Sequence, residues 1–106
     1  MPESKNALTE AVYYILLALM QPLHGYGIMQ EVTSFSGGRV NLGAGTLYGA
    51  LNTLVAKGWI EALSAKPKDR KKEYVITDLG KAVVAQEIAR LEELVKNGTR
   101  VLGGEK

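Results

Sequence analysis

The stretch from Leu42 to Gly80, LGAGTLYGALNTLVAKGWIEALSAKPKDRKKEYVITDLG, leaves few folds open to this chain. It begins with one apolar stripe, Leu47, Leu51, Leu54 and Val55, at the spacing of a helix face, which predicts a helix over 44–57. Gly58 follows Lys57 where a helix ends in a left-handed residue. Trp59, Ile60, Ala62 and Leu63 read as a strand, and Tyr74-Val75-Ile76 as a second. Between them lies a polar turn, Ser64 to Lys71, with Pro67 and Asp69 as turn formers. Thr77-Asp78 then caps a new helix. Helix, strand, cationic loop, strand, helix is the plan of a winged helix, so the expected class is α+β, mainly α: a winged helix-turn-helix.

Charge follows the same plan. The net charge of +2 is too small to argue for a nucleic-acid partner. Its placement is more telling: residues 57–72 carry +4, while 1–56 carry −1 and 78–106 balance at zero. Lys66, Lys68, Arg70, Lys71 and Lys72 cluster around the turn against Asp69, as an electrostatic footprint for phosphate would.

Upstream, a helix is expected from about Leu8 to Met20, ended by Gln21-Pro22 because the residue before proline avoids the helical region. It is apolar nearly all round, from Val12 through Met20, and a helix like that is covered on more than one side. Two readings stand: a central core helix, or one whose second side meets another protomer. A second helix is placed over 26–35 with Ile28, Met29, Val32 and Phe35 inward. His24 before it reads as a turn or capping residue, since no cysteine or carboxylate sits at metal-ligand spacing. Val40 and Leu42 alternate with polar residues and can pair with the wing as a third short strand. Arg39 reads as a loop charge or a backbone anchor.

In the 44–57 helix the face opposite the leucines is Ala44, Gly45, Thr46, Tyr48, Gly49, Asn52 and Thr53, with no acid or base until Lys57. Interior glycines cost about 1 kcal/mol each against alanine. A bare face lets a partner approach the backbone closely; in a DNA groove Thr46 and Asn52 would meet base edges and Tyr48 a phosphate. With no arginine there, part of any specificity falls to DNA shape.

The last helix is expected from Asp78 to Leu102, with fraying after Asn97 because of Gly98. Val84, Ile88, Leu91, Val95 and Leu102 form a heptad-like stripe, which suits a partner helix. Glu87–Arg90 and Glu92–Lys96 are placed as ion pairs on its wet side. The chain thus divides into a winged-helix part, 1–77, and a dimerisation helix, 78–106, in one unit.

These motifs together resemble the PadR family of bacterial transcriptional regulators over Leu8 to Leu102. The resemblance rests on Leu47-Tyr48 with Leu51, on Lys57-Gly58-Trp59-Ile60, on the basic run to Lys72 and Tyr74, and on Thr77 and Gly80. His24-Gly25-Tyr26-Gly27-Ile28 resembles the glycine-tyrosine motif opening the family's second helix. Glu73 stands where the family usually has an aromatic. The resemblance implies a homodimeric regulator, a repressor on a palindromic double-stranded DNA operator, with the 78–106 helix as its dimerisation element. Regulators it resembles can also take a planar apolar effector between protomers, where Tyr13, Tyr14 and Leu91 would be the contacts, aromatic stacking falling to the tyrosines; core or interface packing is the other reading of both tyrosines. The alternative is a winged-helix module that binds protein rather than DNA.

Catalysis finds little support: one histidine, no cysteine, and a Gly43-Ala44-Gly45 run that lacks the lysine of a phosphate-binding loop. No cofactor or metal is expected. Ile15 to Met20 is too short to span a bilayer, and Met1 to Glu10 has two acids and no apolar run, so a cytoplasmic protein without membrane attachment is expected.

Overall fold

The computed structural model describes residues 7–63 and 72–105. Its elements in chain order are α1 (Glu10–Ala18), β1 (Leu23–His24), α2 (Gly25–Phe35), α3 (Ala44–Ala56), β2 (Ile60–Ala62), β3 (Glu73–Ile76) and α4 (Asp78–Leu102). The antiparallel sheet has strand order β1-β3-β2, with Leu23 opposite Tyr74 and Ile60 opposite Ile76. This is a winged helix-turn-helix with a long C-terminal helix.

One core joins every element, with β1 contributing only the half-buried Leu23 at its edge. Ile15, Leu16 and Leu19 of the α1 region meet Ile28 and Val32 of α2, and Leu47, Leu51 and Leu54 of α3. Ile60, Tyr74 and Ile76 close it from the sheet, and Val83 and Val84 from α4. The α1 helix is central: Ile15 and Leu16 are fully buried, whereas Val12, Tyr13, Tyr14 and Leu17 are only half-buried. Its end is stitched to the sheet, since Leu19 accepts a hydrogen bond from the Ile76 N–H at 2.8 Å.

The third strand is not where the alternation at Val40 and Leu42 places it. Leu23–His24 pairs with β3 instead, and 40–42 crosses without strand pairing while Val40 and Leu42 pack on the core. Val55, expected in the buried stripe of α3, is exposed, because Leu47, Leu51 and Leu54 already span the contact face and Ala50 takes its edge. Phe35 turns outward onto Tyr14, their rings stacked 5.5 Å apart.

Three corrections fall on α4. Val84, expected in a seam for a partner helix, is buried in the chain's own core. Glu87, expected on the wet side, is buried as well: its carboxylate accepts from the Leu8 N–H at 3.2 Å and pairs with Arg90 at 2.7 Å. The Arg90 hydrogen bonds, ahead of the opposing effect of burial, hold the Glu87 carboxyl below its ordinary pKa. Glu92 and Lys96 do not close a second pair. The helix runs from Asp78 through Gly98 to Leu102, the span expected.

Candidate nucleic-acid interface

The turn between α2 and α3 is built from short polar side chains. Gly37 and Gly38 take positive φ, 63° and 85°, which lets the chain leave α2 sharply. Ser36 is buried, accepting from the Val40 N–H at 2.9 Å and donating to the Thr33 carbonyl at 3.2 Å. Asn41 donates to the Gly38 carbonyl at 3.0 Å and accepts from the Thr33 hydroxyl at 3.3 Å. Arg39, 65% exposed in the loop after α2, is a solvated charge that pairs with Glu10 in the first turn of α1.

With its leucines inward, α3 turns Ala44, Gly45, Thr46, Tyr48, Gly49 and Asn52 to solvent together. The Thr53 hydroxyl is committed to the Gly49 carbonyl at 3.2 Å. A Cβ built on Gly43, Gly45 or Gly49 would meet nothing within 4 Å, so intramolecular packing does not account for these glycines. Tyr48 is 44% exposed, and its ring end lies over the start of α2, where a Cβ on Gly25 would stand 2.2 Å from the phenol oxygen. That contact was not legible in the sequence, although a glycine opening a helix is its one trace.

The helix starts differ in kind. Thr9 caps α1 by accepting from Val12, and Thr77 caps α4 by accepting from Gly80. His24 and Gly43, at the N-caps of α2 and α3, make no side-chain cap hydrogen bond. First-turn N–H groups on the two helices of the helix-turn-helix therefore lack the side-chain acceptor that the other two helices supply, a position suited to phosphate oxygens.

The sheet strands β2 and β3 flank the wing segment. The ladder continues past β2, with Leu63 donating to the Glu73 carbonyl at 2.8 Å. Lys72 is exposed at the foot of the wing. Lys66, Lys68, Arg70 and Lys71 lie outside the described residues. At the base, Gly58 takes a φ of 79°, and its carbonyl accepts from the Thr77 hydroxyl at 2.6 Å. A Cβ on Gly80 would stand 2.1 Å from the Trp59 carbonyl, so only glycine lets α4 pass this close to β2.

On α4 the expected dimer residues divide. Ile88, Leu91 and Val95 are 39%, 37% and 66% exposed and line a groove of about 380 Å³ with Tyr13 of α1, whereas Val84 is interior. Leu102 lies further along, almost wholly exposed. Of the candidate effector contacts, Tyr13 and Leu91 share that groove; Tyr14 does not line it and stacks on Phe35. Among the described residues, no group of three or more His, Cys, Asp or Glu is placed to hold a metal ion, and no helix is long and apolar enough to cross a membrane.

Two helices joined by a hydrogen-bonded turn, an uncharged outward helix face and a three-stranded sheet, two of whose strands follow that helix, define the class: a DNA-binding transcriptional regulator of winged-helix type. The chain belongs to the PadR-like family of transcriptional regulators, whose family model matches residues 15–86. A PadR family transcription regulator from Clostridium difficile superposes with a TM-score of 0.73 at 20% identity, over 89% of this chain and 99% of that one. One from Eggerthella lenta gives 0.70 at 23%, over 89% and 82%. RosR of H. salinarum gives 0.64 at 25%, over 87% and 94%. An uncharacterised 37.1 kDa protein in a transposon of Streptomyces fradiae is 36% identical over 86 residues, which are 80% of this chain but 24% of that protein. The match thus spans about a quarter of that relative's length.

Proposed function

We propose that this chain is a homodimeric repressor that binds a palindromic operator. The observation that carries this reading is the outward face of α3, uncharged and bearing two glycines that nothing in the chain requires. Ala44, Gly45 and Gly49 let the helix seat deeply in a major groove, Thr46 and Asn52 meet base edges, and Tyr48 meets a phosphate. The first-turn N–H groups of α2 and α3 add backbone contacts to the sugar-phosphate chain. Lys66, Lys68, Arg70, Lys71 and Lys72 supply wing contacts, and with them much of the salt-dependent affinity.

Dimerisation runs along Ile88, Leu91, Val95 and Leu102 of α4. It sets two copies of α3 about 34 Å apart, one helical turn of DNA. A planar apolar effector between the protomers, against Tyr13 and Leu91, is the regulatory form of this reading, favoured by the groove those residues share. Calorimetric titration of the dimer with planar cationic compounds tests it; an absence of saturable heat removes the effector from the scheme.

The experiment for the function itself is a titration against the DNA upstream of the protein's own gene, at several salt concentrations, beside a scrambled duplex. Tight binding to the upstream DNA alone is expected, with a steep salt slope that shrinks when Lys68, Arg70 and Lys71 become alanine. Absence of binding at low salt would overturn the repressor reading in favour of a protein-binding module.

A further inference from the structure

A second cavity, of about 460 Å³, lies between the start of α1 and the C-terminal half of α3. Its walls are Leu8 and Val12 on one side, Ala50 and Leu54 on the other, and Trp59 at the end, with Lys57 among them. None of these residues lines the α1–α4 groove described above. The volume falls in the usual range for small-molecule sites.

We propose that this cavity binds a small apolar monoanion, a carboxylate whose body lies on Leu8, Val12, Ala50, Leu54 and Trp59 and whose charge meets the Lys57 ammonium. The polar groups of the lining decide the ligand's chemistry. The Thr53 hydroxyl already donates to the Gly49 carbonyl at 3.2 Å, and the Thr9 hydroxyl oxygen already accepts from the Val12 N–H at 3.1 Å. Lys57 is different. Among the described residues it is the one charged side chain of the lining, its Nζ stands 5.1 Å from the centre of the Trp59 ring, and no described carboxylate pairs with it.

The helix ends act in opposite senses. The α1 N-terminus favours an anion and the α3 C-terminus disfavours one, each with about half a charge. They nearly cancel, so the full charge of Lys57 decides the sign. The remaining lining is apolar, which calls for one charge and no more. The cavity's described walls are fixed: the Leu8 N–H is pinned to the buried Glu87 carboxylate at 3.2 Å, and Ala50 and Leu54 sit on the core helix α3.

Trp59 is the chain's single tryptophan, so its indole N–H gives one assignable signal at the cavity wall. The full-length protein, labelled with nitrogen-15, is titrated with 2-naphthoate and, in parallel, with the uncharged 2-naphthylmethanol. Saturable displacement of the indole signal by naphthoate is expected. Lys57→Met should weaken naphthoate about tenfold, the loss of one charge-assisted contact, and change the alcohol less than about twofold. Ala50→Phe, which fills the cavity from α3, should abolish the displacement while the rest of the spectrum stays dispersed. An indole signal that does not move up to the solubility limit overturns the site. Equal naphthoate affinity in wild type and Lys57→Met overturns the ligand class, and undiminished binding by a folded Ala50→Phe places the ligand elsewhere. Should Ala50→Phe not fold, the exposed Lys57 substitution decides alone. No DNA enters the experiment, so its failure is separate from any failure of the operator reading.

Discussion

A methyl group added at Gly45 or Gly49 would touch nothing else in the chain, yet both positions are interior to α3. Replacing either with alanine should raise stability by about 0.5–1 kcal/mol, measured by chemical denaturation, because glycine is the costlier helix residue. The same substitutions should lower operator affinity in the titration, since the added methyl stands where the groove floor approaches. A gain in stability with no loss of binding would show that this face does not seat in DNA. Gly80 behaves in the opposite way. Its Cβ would press on the Trp59 carbonyl, a backbone atom that cannot swing aside, so Gly80→Ala should destabilise the fold by about 2 kcal/mol or more. Gly25 lies between these cases, because the atom in the way is the far end of the Tyr48 side chain, which can rotate.

Among the elements, α4 serves two surfaces with one sequence. Val83 and Val84 enter the core, and from Ile88 onward the apolar residues Leu91, Leu94, Val95, Val101 and Leu102 are exposed. Glu87 marks the change, joining α4 to Leu8 and Arg90. Its folded pKa is depressed, so its contribution is fully present above the unfolded glutamate value, near pH 4.3, and is lost as the pH falls through the lower folded value. Glu87→Gln should therefore cost about 1 kcal/mol at neutral pH and flatten the acid side of a stability–pH curve. This element also shows what a sequence conveys. Residue patterning revealed each helix and both wing strands, while the apolar run of α1 left open a central place in the core or a side facing a second protomer. A heptad stripe, however, does not distinguish a chain's own core from a partner's helix, so Val84 and Ile88 look alike until the fold separates them. The burial of Glu87 depends on a backbone N–H 79 residues away, and β1, two residues long, carries no alternation to detect. The candidate face of α3 was legible because it lacked charge, whereas the seat of Tyr48 on Gly25 was not, being a contact between helices.

At the scale of the whole molecule, shape follows from α4. A helix of 25 residues is about 37 Å long. The molecule measures 61 × 32 × 20 Å, far from a sphere, with exposed apolar side chains at the helix's far end. Leu91→Glu with Val95→Glu should leave the winged-helix core folded and convert a dimer to a monomer in sedimentation velocity. Operator affinity should fall with it, because a single α3 reads only half a palindrome. A double variant that stays dimeric would move the interface off this stripe.

The bond from the Ile76 N–H to the Leu19 carbonyl also bears on how the protein is made. An emerging chain exposes the apolar faces of α1, α2 and α3 long before β3 leaves the ribosome, and the strand that closes the end of α1 is nearly the last core element to appear. Tyr74, Ile76, Val83 and Val84 complete the burial that the first half of the chain begins. A nascent chain ending near residue 60 therefore lacks the residues that cover those apolar faces in the folded molecule. Protection of the α1 amides from hydrogen exchange should arise only in chains long enough to free α4 from the exit tunnel.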